Sequence, residues 1–285
     1  MSARARAVLL AIPLITQLLL TPAARAADRP VVWFPVGPGS EGSVFTRATT
    51  TDPFELTTNG PTAMEFTLFT VEPGGTTGSL PRPGLTVTAV ADGVATVLSA
   101  QGQGCVPRSV NAGSALIETD GGAMEIRNDS HTPLAVYTAA FSPAGGAPAP
   151  LSAGPCAATT AKQAAIDVLT RAIVERSFSV ESKGMSDVYL GAARFAPGGV
   201  IDWHVQHRPL FGGVGEGTIT VDFAEAGGCR TDVFPTGAGF LEPAQTVHAV
   251  RNESSDRATF YYVVFAATPQ PFLAPSPTPR QCGRS

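Results

Sequence analysis

The chain has 285 residues, with 19 basic and 23 acidic side chains, a formal net charge of −4 and only 15% charged residues. A mildly acidic composition without charge blocks argues against a nucleic-acid partner, which favours a basic surface. The low charged fraction, together with 30 glycines and 25 prolines, favours many short strands joined by turns. The composition therefore predicts an all-β protein with little helix.

Residues 1–26 have the pattern of a signal peptide. Arg4 and Arg6 precede an apolar stretch at residues 8–20, and Ala24-Arg25-Ala26 forms a small-x-small cleavage site. The apolar stretch is too short for a membrane anchor, and no later segment is long and apolar enough to span a bilayer. Cleavage after Ala26 leaves 16 basic against 23 acidic residues, a net charge of about −7. We expect a secreted or periplasmic protein.

An internal repeat organises the rest of the chain. A shift of 124 residues aligns the two halves without a gap, with residues 44–48 on 168–172 and residues 73–75 on 197–199. Further matched pairs are Gly93 and Gly217, Cys105 and Cys229, Gly113 and Gly237, Glu118 and Glu242, Asn128 and Asn252, and Phe141 and Phe265. The repeat predicts two domains of one fold, at residues 27–157 and 158–285, the second ending in a proline-rich tail.

Each copy carries strand signals. Ile219, Val221 and Phe223 alternate with polar residues, while residues 260–265 form a continuous apolar run, as expected of a strand covered on both faces. Residues 161–177 have helical spacing, but their repeat partner is rich in threonine and has strand character. We therefore expect at most a short helix near residues 158–168, followed by a strand. Many short strands in each copy predict a barrel or jelly roll.

The four cysteines predict two disulfides. In an exported chain, four cysteines can pair in three ways, and here none lies in the C-x-x-C spacing of a metal site. Cys105 and Cys229 are repeat partners, and Cys156 and Cys282 each follow the last strand of their copy. The pairing that respects the duplication is Cys105–Cys156 and Cys229–Cys282.

The second copy contains the residues that could carry chemistry. Gly198 is followed by His204, and Gly237 is followed by Pro243, His248 and Asn252. This spacing resembles the two motifs of the cupin superfamily, and the resemblance covers nearly all of the chain after the signal peptide. It implies two tandem cupin-type β-barrels. In that family three histidines and one glutamate point into the barrel and hold Mn, Fe, Zn, Ni or Cu.

Alternation along a strand places His204 and Gln206 on one face and His207 on the other. The second histidine of the family pattern is therefore Gln206, a weaker ligand for transition metals, and the glutamate position is Leu210. His248 comes from the later strand. A β-bulge that turned His207 inward would restore three histidines. The alternative is that His204 and His248 form a remnant pair that binds no metal.

The same alignment predicts no metal in the first copy. Leu80, Arg82 and Met124 occupy the positions of His204, Gln206 and His248. We therefore expect the first barrel to be structural, with Arg82 as a solvated side chain at its rim; the alternative is that Arg82 contacts an anionic ligand in the mouth of this barrel.

Two functional hypotheses follow. The first is an exported bicupin whose partly degenerate second site, made of His204, His248, Gln206 and His207, binds a metal or a small molecule, or whose barrels serve as a scaffold. The second is a metal-dependent enzyme such as a dioxygenase, decarboxylase or isomerase, in which an open coordination position takes the substrate. The sequence assigns no catalytic residue, no substrate and no oligomeric state.

Overall fold

The computed structural model describes residues 37–81, 84–101, 104–119, 122–145, 162–267 and 273–282. Within these ranges the chain forms 22 β-strands and one 3-10 helix, Arg280–Cys282. No helix in the described ranges is long and apolar enough to cross a membrane. The predicted all-β class is confirmed.

The strands of the two halves follow the repeat. In the first half they are β1 Ser40–Thr50, β2 Phe54–Thr57, β3 Thr62–Val71, β4 Gly75–Pro81, β5 Thr86–Asp92, β6 Val94–Gln101, β7 Gly104–Asn111, β8 Ala115–Glu118, β9 Ala123–Arg127 and β10 Leu134–Pro143. In the second half they are β11 Lys162–Gln163, β12 Ala165–Val174, β13 Ser179–Ser182, β14 Ser186–Phe195, β15 Val200–Gln206, β16 Leu210–Glu216, β17 Thr218–Glu225, β18 Gly228–Pro235, β19 Ala238–Glu242, β20 Val247–Arg251, β21 Ala258–Ala267 and β22 Leu273–Pro275. The pairs β3 and β14, β5 and β16, β6 and β17, and β10 and β21 each begin 124 residues apart, as the ungapped repeat predicts.

The sheets form two jelly-roll barrels that share one sheet. A ten-stranded sheet in the order β1-β14-β21-β16-β19-β12-β3-β10-β5-β8 runs through both halves. Each half closes its barrel with a five-stranded sheet, ordered β11-β4-β9-β6-β7 in the first and β18-β17-β20-β15-β22 in the second. The result is two barrels joined side by side.

The two halves exchange their first long strands. β1 pairs antiparallel with β14 of the second half, and β12 pairs antiparallel with β3 of the first half. The exchange is reciprocal, because β1 and β12 are repeat equivalents, as are β14 and β3. The predicted boundary between residues 157 and 158 lies outside the described residues and stays a prediction.

Hydrophobic packing follows this arrangement. One buried cluster lies inside the first barrel and another inside the second. A third cluster contains residues from both halves, among them Phe66, Phe141, Phe211 and Phe265, and joins the barrels. The apolar run at residues 260–265 shows why β21 has no polar face, since Phe260 packs inside the second barrel and Phe265 packs between the barrels. The prediction of a strand covered on both faces is therefore confirmed.

The segment with helical spacing is a strand. Residues 162–163 form β11 and residues 165–174 form β12, so the short helix expected near residues 158–168 is wrong where the structure describes it. The physical reason is tertiary pairing, since β12 is hydrogen-bonded to β3 along its length and a register shift lies between Val168 and Thr170. Such a bulge breaks the period-two pattern of a strand and makes its spacing look helical.

The C-terminal tail is bound to the edge of the second barrel. β22 pairs with β15, and the Ser276 amide donates a hydrogen bond of 2.8 Å to the Trp203 carbonyl. The predicted disulfide Cys229–Cys282 is present, with a Cα–Cα distance of 5.2 Å, and fixes the tail to β18. Cys105 is also disulfide-bonded. Its predicted partner, Cys156, lies outside the described residues, so the Cys105–Cys156 pairing stays a prediction.

Replacing both Cys229 and Cys282 with serine is expected to lower the free energy of unfolding by about 2–4 kcal/mol, because the disulfide closes a long loop in the unfolded chain. Urea denaturation of the variant and the wild type under oxidising conditions measures the difference. Equal midpoints and equal slopes would contradict this expectation.

Candidate functional site

The two predicted histidines face each other inside the second barrel. β15 and β20 are antiparallel neighbours, and His204 and His248 are Cα partners across them. Their side chains are 2% and 0% exposed, and their ring centroids lie 4.2 Å apart. The first barrel repeats the geometry with different side chains, since Leu80 and Met124 are Cα partners across β4 and β9.

Both imidazoles are held in one tautomer by their own strands. Nδ1 of His204 lies 2.7 Å from the Asp202 carbonyl oxygen, and Nδ1 of His248 lies 2.8 Å from the Thr246 carbonyl oxygen. Because a carbonyl oxygen only accepts, each Nδ1 carries the hydrogen and donates it. The lone pair is then on Nε2 of each ring, which is the usual preparation of a metal-binding histidine.

A buried glutamate that sequence reasoning missed joins the pair. Glu242, at the end of β19, is 1% exposed and has Oε2 3.2 Å from Nε2 of His248. One ligand atom from each of His204, Glu242 and His248 lies within 4.8 Å of the others. Glu242 is also the Cα partner of Leu210, which occupies the glutamate position of the family pattern. The carboxylate is therefore present, one strand away from where the motif places it.

Gln206 belongs to the same cluster and His207 does not. Gln206 is fully buried, and its Nε2 donates to Oε2 of Glu242. His207 is exposed, with Nδ1 3.4 Å from Nε2 of Gln245. Of the four residues that the sequence predicts as ligands, the structure brings together His204, Gln206 and His248. The register shift on β15 lies between Ile201 and His204, upstream of His207, so it does not turn His207 inward.

Burial and mutual contact shift the pKa values of the three titratable side chains. Burial, and then the positive charge of His248, lower the pKa of His204 to about 4. Burial also opposes the charged form of His248, but the Glu242 carboxylate outweighs it and raises the pKa of His248. Burial alone would raise the pKa of Glu242, but the contact with His248 lowers it. At neutral pH His204 is therefore neutral and Glu242 is ionised.

Hydrogen-bond acceptors without donors show that the cluster suits a cation. Oε1 of Gln206, Oε1 of Glu242 and Nε2 of His248 are buried and have no hydrogen-bond partner. An unpaired buried acceptor costs about 1–3 kcal/mol, and native proteins rarely leave several together. With the hydrogen of His248 on Nδ1, its Nε2 lone pair faces a carboxylate, which is unfavourable unless a proton or a metal ion lies there. The residues present therefore fit a metal ion.

The donor set indicates which class of ion. Two imidazole nitrogens and one carboxylate oxygen are typical of sites for divalent transition metals. Within the described residues of the first barrel there is no comparable group. There the repeat equivalent of Glu242 is Glu118, whose Oε1 accepts a hydrogen bond of 2.5 Å from Oγ of Ser99. Arg82 lies outside the described residues.

Asn252 and its repeat partner Asn128 hold the turns after β20 and β9. Nδ2 of Asn252 donates to the carbonyl oxygens of Ala196 and Asp256, and Nδ2 of Asn128 donates to those of Val71 and Thr132. Both asparagines are buried. Their place in the motif is therefore structural in both copies. Both halves are jelly rolls with this asparagine turn at matching positions, an arrangement that resembles a bicupin.

Comparisons with known proteins give only distant similarities. No protein-family model matches the sequence, and no curated protein matches it. Among solved structures, an oxalate oxidase is 22% identical, with a TM-score of 0.28, over 31% of this chain and 45% of that chain. The oxalate decarboxylase of Bacillus subtilis, in a study of its Mn(II) centres, is 12% identical with a TM-score of 0.35, over 77% of both chains.

This chain spans less than half of the length of the oxalate oxidase structures that it matches. The identities to these oxidases and to the decarboxylase are below 25%, and the TM-scores are below 0.5. Neither an activity nor a metal is carried over from these proteins, and the case for a metal site rests on the geometry of His204, Glu242 and His248.

Proposed function

We propose that the second barrel binds one divalent transition metal ion through His204, Glu242 and His248, with Gln206 beside them. The observation that supports this most strongly is that ligand atoms of His204, Glu242 and His248 lie within 4.8 Å of one another, beside buried acceptors without donors that one cation could satisfy. Mn, Fe, Zn, Ni and Cu are the candidates, and the first barrel takes none of them.

The Glu242 carboxylate bears on the choice between a partly degenerate binding protein and a metal-dependent enzyme. The sequence alone supplies two strong inward ligands, and fewer than three rarely hold a metal. Glu242 supplies the third. A set of two histidines and one carboxylate leaves coordination positions open, as in non-haem iron oxygenases. This observation favours a metal-dependent enzyme as the second candidate function.

In that second function the metal would supply Lewis acidity or a site for oxygen. The chain's own residues would hold and shield it. The backbone carbonyls of Asp202 and Thr246 keep the Nε2 lone pairs aimed at the site. Phe223, which is buried and lies 5.8 Å from the His248 ring, excludes water on one side.

Metal analysis of the purified protein tests the proposal. The chain should be isolated without added metal or chelator, dialysed, and analysed by elemental mass spectrometry. We expect about one transition metal ion per chain. A second measurement after chelation and reloading with Mn²⁺ should again give one ion. Two ions per chain would contradict the assignment to one barrel, and none after reloading would contradict metal binding itself.

We also propose that the chain is exported and acts outside the cytoplasm. The signal-like pattern at residues 1–26 and the Cys229–Cys282 disulfide support this, since disulfides persist in oxidising compartments. Expression in a secreting host, followed by intact mass measurement, should give a chain that begins at Ala27. A chain that stays in the cytoplasm with residues 1–26 attached would contradict export.

A further inference from the structure

We propose that Gln206 determines which metal the second barrel prefers, by holding Glu242 with its amide nitrogen and offering its amide oxygen to the metal. The inference rests on the metal site proposed above and extends it. Position 206 is where the family pattern has a second histidine. By sequence it counts as a lost ligand, but in the structure its amide nitrogen is bonded to Glu242 and its amide oxygen is buried without a donor.

The first role is to orient the carboxylate. Nε2 of Gln206 donates to Oε2 of Glu242, the same oxygen that lies 3.2 Å from Nε2 of His248. The assignment of the amide is unambiguous because an ionised carboxylate only accepts hydrogen bonds. With Oε2 held in this way, Oε1 of Glu242 is the oxygen without a partner. Gln206 therefore leaves Glu242 with one free oxygen.

The second role comes from the other end of the amide. Oε1 of Gln206 is buried without any donor, in a side chain with no exposed surface. An amide oxygen is a hard neutral donor that suits Mn²⁺, whereas imidazole suits Zn²⁺, Ni²⁺ and Cu²⁺ better. A glutamine in place of a histidine therefore exchanges a nitrogen ligand for an oxygen ligand. This exchange shifts the metal preference of the site towards Mn²⁺.

The backbone keeps Gln206 rigid enough for both roles. Its carbonyl oxygen accepts a hydrogen bond of 2.7 Å from the Gln245 amide, and its Cα pairs with Leu273 of β22. Gln245 adopts a φ of 61°, a conformation that non-glycine residues rarely take. The end of β15 is thus fixed from the β19–β20 turn on one side and from the C-terminal strand on the other.

Affinities for Mn²⁺ and Zn²⁺, measured by competition with a calibrated chelator, test the inference. The variants are Gln206→His, Gln206→Leu and, as a control, Gln163→His on the exposed strand β11 of the first barrel. Gln206→His should raise the preference for Zn²⁺ over Mn²⁺ at least about tenfold relative to the wild type. Gln206→Leu should weaken Mn²⁺ binding about 10–100-fold, as lost orienting contacts do. Gln163→His should behave as the wild type.

The outcomes separate this inference from the proposed function. An unchanged metal preference in Gln206→His, with Gln206→Leu binding Mn²⁺ as the wild type does, would overturn the role of Gln206 and leave the metal site standing. Wild-type binding by His248→Ala would overturn the metal site itself. Gln206→Leu keeps the inference testable if Gln206→His does not fold, and circular dichroism of each variant shows which of them fold.

Discussion

Replacing Glu242 with alanine is expected to reduce metal affinity at least about 100-fold, because it removes the only charged ligand of the site. Structural zinc sites with four ligands are worth about 10–16 kcal/mol, or about 2.5–4 kcal/mol for each ligand. His204→Ala and His248→Ala should cause losses of the same size. Titration of the metal-free variants with Mn²⁺ and Zn²⁺ measures the effect.

The repeat provides a matched control for this substitution. Glu118 occupies the position of Glu242 in the first barrel, and both are Cα partners of the first residue of a neighbouring strand, Thr86 and Leu210. Glu118→Ala should therefore leave metal affinity unchanged. If Glu118→Ala and Glu242→Ala weakened binding equally, the effect would come from general loosening of the barrels rather than from loss of a ligand.

Metal affinity is expected to fall by about tenfold for each pH unit as the pH drops through the pKa of His248. The proton competes with the metal for Nε2 of this ring, and contact with Glu242 raises its pKa above 6.5. His204 adds a second competing proton only near pH 4, because burial and the charge of His248 lower its pKa to about 4. A plot of the logarithm of metal affinity against pH should therefore have a slope near one over most of the acidic range.

Apparent affinities measured between pH 8 and the acid limit of folding, with circular dichroism at each point, give this slope. A slope of two just below neutral pH would show that both imidazoles titrate together and would contradict the separate environments of His204 and His248. Affinity independent of pH would contradict imidazole ligation altogether.

Much of the fold can be predicted from the sequence because each weak secondary-structure signal can be compared between the two copies of the repeat. One copy alone suggests a helix near residues 161–177, and comparison with residues 44–52 corrects most of that segment to a strand. The exchange of β1 and β12 could not be predicted in this way. Each of these strands has the same sequence pattern whether it pairs within its own half or with the other half. The choice of partner strand therefore depends on the tertiary arrangement alone.

The candidate site was predicted in part. His204 and His248 follow from the resemblance to the cupin motifs, and strand alternation places Gln206 on the same face as His204. Glu242 was missed because its role depends on the pairing of β16 with β19, and alternation carries no information about neighbouring strands. A signal was present, since Glu118 and Glu242 match in the repeat, but identity between the copies does not reveal that a side chain points towards histidines in only one of them.

Anomalous diffraction from crystals grown with Mn²⁺ tests the central claim most directly, because it locates the ion without reference to activity. The account predicts one strong peak per chain, inside the second barrel, with His204, Glu242 and His248 coordinated to it and no peak between Leu80 and Met124. The absence of a peak at saturating Mn²⁺, or a peak elsewhere with His204, Glu242 and His248 unliganded, would contradict it.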